Sequence, residues 1–235
     1  MIAENIARIR ERIHAAAARA GRGANEITLM AVSKTFPASA IGEAYAAGLR
    51  VFGENRVQEL AAKADDLRNV KDARFHLIGH LQSNKAAKAV ELFDAVDSVD
   101  SVRLATKLNA AAKQVSKSVD VLLEVNVGAE AAKAGLPTDL ADAEWKNLLT
   151  ELPTLANLRV RGLMCIPPHT DDPNGARPYF KRMCTLREQI VSMKLAKVEM
   201  TTLSMGMSHD FEVAIEEGST CVRLGTAIFG KRPKA

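Results

Sequence analysis

The sequence predicts an α/β protein, a single (β/α)8 TIM barrel with an extra N-terminal helix. Three observations lead to this. Eight short β-rich runs alternate with stretches of helical spacing, the pattern of a parallel sheet joined by crossover helices. The runs recur about every 25 residues between Ile27 and Leu224, the spacing of a closed barrel. The first run leads into Ser33-Lys34-Thr35-Phe36-Pro37, whereas an open doubly wound sheet usually has a glycine-rich turn there. No Pro/Gly/Ser linker and no internal repeat divides the chain. Residues 1–235 therefore read as one barrel domain, with 1–22 an N-terminal helix packed on it.

The elements follow in order. Ile2, Ile6, Ile9 and Ile13 recur at spacings of four, three and four, which places them on one helical face. An alanine run extends that helix, and Gly21 and Gly23 stop it. The β-rich runs are Ile27–Ser33, Arg50–Gly53, Phe75–Gly79, Asp94–Ser98, Asp120–Val127, Leu158–Cys165, Met200–Met205 and Cys221–Leu224. Helical spacing fills Ile41–Ala47, Val57–Leu67, Lys85–Leu92, Val102–Val115, Leu140–Leu152, Tyr179–Met193 and Phe211–Glu217.

Composition narrows the function classes. Apolar residues are 47% and charged residues 26%, which excludes a disordered tail or a fibre. Apolar runs are short, so no bilayer span is expected, and Met1-Ile2-Ala3-Glu4-Asn5 lacks the features of a signal peptide. The net charge of +4 is spread without a Lys/Arg block, and aromatics are only 4%. No nucleic-acid partner is expected. Cys165, Cys184 and Cys221 form neither a CxxC nor an even set, which fits free thiols in a reducing cytoplasm. A single small barrel points to a monomer.

In such a barrel, chemistry gathers at the C-terminal ends of the strands. The first run ends in Ala31-Val32-Ser33-Lys34-Thr35. A lysine directly after an apolar strand projects from the mouth. Partial desolvation there depresses an ammonium pKa and leaves an amine able to attack aldehydes. The plainer alternative is a lysine that reaches solvent. The second run passes into Phe52-Gly53-Glu54-Asn55-Arg56 and the third into Ile78-Gly79-His80-Leu81-Gln82-Ser83-Asn84-Lys85. His76 and His80 are four apart across a strand-to-loop passage, not on a helix, so hydrogen bonding is expected of them and no metal site. His169, Asp171 and Asp172 read as turn residues.

The seventh run leads through Ser204-Met205-Gly206-Met207-Ser208-His209-Asp210 into a helix, with Ser208 placed as its N-cap. The eighth leads into Arg223-Leu224-Gly225-Thr226 and on to Phe229-Gly230. Barrels often build phosphate sites from these two loops. Two helix starts with no ligand are the alternative. Barrel closure puts strand eight beside strand one, which sets an amine next to an anion cradle. A ligand with both an aldehyde and a phosphate suits that pairing, and pyridoxal 5′-phosphate (PLP) is the candidate.

These motifs together resemble the pyridoxal phosphate homeostasis protein family, the YggS/PROSC-type PLP-binding proteins. The resemblance spans nearly the whole chain. Besides the segments above, it includes Val57-Gln58-Glu59, His76-Leu77 and Gly162-Leu163-Met164. It implies a fold similar to the barrel domain of alanine racemase, with PLP held as a Schiff base on Lys34. It further implies phosphate contacts at Ser208, Gly225 and Thr226, Arg223 facing the pyridine nitrogen, and Asn55, His80 and Met205 among the cofactor-binding positions. One departure is Ala132-Lys133-Ala134-Gly135, where the family often has serine around a Lys-x-Gly.

An arginine at the pyridine nitrogen stays protonated and donates, so the nitrogen stays unprotonated and the ring is a weaker electron sink. Racemisation also needs acid/base groups on both faces of the substrate. Similar racemases take the second from a tyrosine of an additional C-terminal β-domain. Here only Tyr45 and Tyr179 occur, both in helical stretches, and Gly225–Ala235 is too short for a second domain. The expected function is therefore PLP carriage in intracellular PLP homeostasis, with little or no catalysis and with PLP-dependent apo-enzymes as recipients. The alternatives are a PLP-dependent amino-acid racemase or lyase, and a barrel binding another phosphorylated ligand without a Schiff base.

Overall fold

The computed structural model describes residues 1–231; the last four residues of the expected domain lie outside the described residues. Eight strands form a closed barrel in sequence order. They are β1 (Thr28–Val32), β2 (Val51–Glu54), β3 (Arg74–Leu77), β4 (Ala95–Val99), β5 (Val119–Val125), β6 (Leu158–Cys165), β7 (Val198–Ser204) and β8 (Cys221–Leu224). Neighbouring strands are parallel throughout. The closing pair sets Met30 of β1 opposite Arg223 of β8 and Ala31 opposite Leu224.

The helices are α1 (Ile2–Arg19), α2 (Ala38–Ala46), α3 (Val57–Lys63), α4 (Ala86–Leu92), α5 (Val102–Gln114), α6 (Ala143–Glu151), α7 (Arg177–Ser192), α8 (Phe211–Glu216) and a single turn, α9 (Thr226–Phe229). Every expected run is a strand and every helical stretch a helix, with shifts at the ends. Two shifts have a visible cause. Helix α6 starts at Ala143, not Leu140, because Asp142 caps it by accepting from Glu144 N at 2.8 Å. Helix α3 stops at Lys63, short of Leu67. Continuing it would put Asp65 and Asp66 in the last turn, where carboxylates oppose the helix dipole.

Strand side chains alternate between two environments. One set packs outward against the helices in the main core, with Phe52, Leu77, Val96, Leu123, Leu203 and Val222 beneath Ile41, Leu108, Trp145 and Phe180. The other set faces the barrel interior and is partly polar. Met30, Val32, Ile78 and Cys221 form a small apolar cluster there, and buried Asp97 and Arg223 share the interior. His76 points into the floor of the barrel, with Nδ1 3.1 Å from Asp97 Oδ1.

Helix α1 buries Ile6, Ile9, Ile13, Ala16 and Ala17 against α2, α8 and α9. An edge of that face, toward α8, carries Arg12, 2.6 Å from Glu212, and Arg19, which reaches Glu216 at 2.8 Å and Glu212 at 3.2 Å. Asn5 Nδ2 donates to Ile228 O, tying α1 to α9. Among the described residues, no helix is long and apolar enough to cross a membrane.

Candidate functional site

A cleft of about 450 Å³ opens at the C-terminal end of the barrel. Lys34, Asn55, His80, Ser208, Arg223, Gly225 and Thr226 all line it. Met205 does not. It is fully buried in the main core, and Met207 faces the cleft instead.

The backbone at Lys34 is held from both sides. Ser33 Oγ donates to Glu54 Oε1 at 2.8 Å. Lys63 Nζ of α3 donates to the same oxygen at 2.8 Å and to Ser33 O at 3.2 Å. Thr35 N donates to Glu59 Oε2 at 3.3 Å, and Thr35 has φ of 67°. That region is unfavourable for a β-branched residue, so surrounding contacts must hold it. Glu54 is fully buried. Burial pushes its carboxyl above the usual range, against the pull of Lys63 and Ser33.

Arg223 is only 3% exposed. Its Nη1 donates to Ser204 O at 2.6 Å and Ser204 Oγ at 2.8 Å, and its Nη2 donates to Cys165 O at 2.7 Å. A guanidinium has five N–H donors. Three are committed to the barrel wall, which fixes the plane of the group and leaves two for the cleft.

The loops after β7 and β8 form the opposite wall. Gly206 has φ of 94°, and a Cβ there would lie 2.5 Å from Ala214 Cβ, so this tight return requires glycine. The expected N-cap role of Ser208 is corrected. Asp210 occupies the N-cap position of α8, and its Oδ1 accepts from Met207 N at 2.6 Å. Asp210 closes the turn, so the helix starts at Phe211 and the Ser208 hydroxyl is left to the cleft. A Cβ on Gly225 would come within 3.2 Å of Val32 O; the end of β8 thus lies against the end of β1. Phe36 and Phe229 extend that contact, with ring centroids 4.9 Å apart.

His80 is exposed, with Nδ1 3.4 Å from Asp100 Oδ2. The two histidines four apart in sequence thus diverge, His76 to the floor and His80 to the rim. Among the described residues no cluster of side chains could hold a metal ion. Tyr45 Oη donates to Asp72, and Tyr179 belongs to α7. Neither lines the cleft. Lys133 of the departing loop pairs with Glu130 at 2.7 Å.

Glu124 is a cleft residue that no sequence motif singles out. It lies one residue before the end of β5 and lines the cleft. Its Oε2 is buried with no hydrogen-bond partner. Burial, then the nearby Asp100, pushes its carboxyl up to about 7, with Arg223 and His80 acting in the opposite sense. The available signal was a single acid in the apolar run Val121–Val127, at a strand end.

Residues 4–233 match the model of the alanine racemase N-terminal domain. The chain is 44% identical to the pyridoxal phosphate homeostasis protein of Aquifex aeolicus, over 97% of each chain. It is 45% identical to that of Pseudomonas aeruginosa, over 98% of this chain and 96% of the other. The structure of PipY of Synechococcus elongatus with PLP bound superposes with a TM-score of 0.84 at 39% identity, covering 98% of this chain and all of that one. With whole-length likeness in both sequence and fold, the chain belongs to the pyridoxal phosphate homeostasis protein family, on the alanine racemase N-terminal barrel.

Proposed function

We propose that this cleft binds pyridoxal 5′-phosphate and that the protein carries the cofactor in the cytoplasm, as a monomer, for delivery to PLP-dependent apo-enzymes. One observation carries the reading. The β1–β8 pairing sets the Lys34 loop directly beside the Gly225–Thr226 turn, with the anchored Arg223 guanidinium in the same cleft. The residues fit the group. The cleft volume is in the range of small-ligand sites, and its lining offers one amine, two hydroxyls and a fixed cation. When bound, the cofactor supplies an aldehyde that a lysine amine captures as a Schiff base with loss of water.

The chain's residues then divide the task. Lys34 provides the amine, and Glu54, Lys63 and Glu59 hold the backbone on either side of it. Ser208, Thr226 and the backbone of Gly225 receive the phosphate. Arg223 directs its two uncommitted N–H groups at the ring edge and keeps an acceptor there unprotonated. Asn55 and His80 border the entrance. PipY, solved with PLP bound, supports the reading. So do the free cysteines, which fit a reducing compartment.

No tyrosine lines the cleft among the described residues, which favours carriage over turnover. Glu124 supports a second reading. As an acid near neutrality, it could serve with Lys34 in a racemase or lyase. The deciding experiment incubates the PLP-loaded protein with an apo-enzyme, and separately with each amino acid followed by chiral analysis. Restored apo-enzyme activity without amino-acid turnover supports the carrier. Turnover of one amino acid at ordinary enzymatic rates overturns it.

A further inference from the structure

Glu124 has no place in the cofactor contacts described so far, yet its geometry is specific. Register pairs Glu124 with Met164 and Val125 with Cys165. The Cys165 carbonyl anchors Arg223 at 2.7 Å. The Glu124 carboxyl therefore enters the cleft on the same side of the barrel as the guanidinium. Among the described residues no ion pair within 4.0 Å joins the two, and Glu124 Oε2 is buried without a partner. A buried polar atom left unsatisfied is costly, and this one borders the space a ligand would fill.

We propose that Glu124 is a ligand-binding residue of this cleft, its protonated carboxyl donating a hydrogen bond to an acceptor atom on the ring edge of pyridoxal phosphate beside Arg223. The inference rests on the cofactor reading above and deepens it. The groups facing Glu124 come from every side of the mouth: Lys34 after β1, His80 after β3, Asp100 after β4, His209 after β7 and Arg223 of β8. Burial and Asp100 favour its neutral form, and its carboxyl titrates at about 7. The bound phosphate adds negative charge, which opposes ionisation further. Only the neutral form can donate. Binding must therefore weaken as Glu124 ionises.

The experiment measures PLP affinity from pH 6 to pH 8 for wild type, Glu124→Gln and Glu124→Leu. At pH 8 about one-tenth of a group titrating near 7 remains neutral, so wild-type affinity falls about tenfold relative to a variant with a permanent donor. Glu124→Gln keeps a donor at every pH and removes that loss. Glu124→Leu binds more weakly than Glu124→Gln throughout. Every other ionisable group of the cleft is common to all three proteins, so the difference between profiles isolates Glu124. A ¹³C-glutamate titration of the ligand-free protein, assigned with Glu124→Gln, gives a second readout. Parallel profiles for wild type and Glu124→Gln, or a Glu124 midpoint near the ordinary carboxylate value, overturn the inference. Wild type that takes up no PLP overturns the cofactor reading instead, whatever the ¹³C titration shows.

Discussion

Lys34 sits where its neighbours put it. Ser33 and Thr35 are tied to Glu54 and Glu59, and the half-buried Lys63 completes the clamp. Arg223 is fixed in the same way through Ser204 and Cys165. Glu124 is the counter-case, a carboxyl with an oxygen left bare. Its folded pKa of about 7 exceeds the ordinary 4.5. The folded state therefore holds a proton that the unfolded chain has lost between those values, and stability falls as pH rises from 4.5 through 7. Glu124→Gln removes this slope, worth about 3 kcal/mol at most. Urea unfolding at pH 5 and pH 8 reads it. An equal drop in wild type and variant would contradict the assignment.

At the scale of elements, α1 shows which interactions hold an added helix. Its apolar face is buried, whereas its arginines are half exposed. Ile9→Ala is expected to cost about 3 kcal/mol, and Arg12→Ala less than about 1 kcal/mol. Thermal or urea unfolding measures both, and the reverse order would mean that the ion pairs anchor the helix. The same contrast explains what the sequence made legible. Strand and helix identities follow from periodic burial, which is local and repeated. Ends depend on single residues, and there structure and periodicity differ: Asp142 sets the start of α6, and Asp210 takes the N-cap position of α8 in place of Ser208. Lys34, Arg223 and the glycine turns were legible because strand ends in a barrel converge. Glu124 and Met207 were not, because their role comes from which wall of the barrel they face. The motif around Met205 suggests a cleft position, but the side chain, just past the end of β7, packs in the main core.

For the whole molecule, closure is what makes the site. Lys34 and Thr226 are far apart in sequence and become neighbours only when β8 meets β1. A ligand bridging them binds the folded chain alone. PLP at 100 times its dissociation constant should stabilise the protein by about 2.7 kcal/mol, which raises Tm by about 5–10 °C for a chain of this length. A Tm indifferent to PLP would mean that the bridge does not form. The most direct measurement is reduction of the PLP-soaked protein with borohydride, followed by peptide mass mapping. A single pyridoxyl label is expected, on Lys34, absent from Lys34→Ala. A label on another lysine, or none on any, would contradict it.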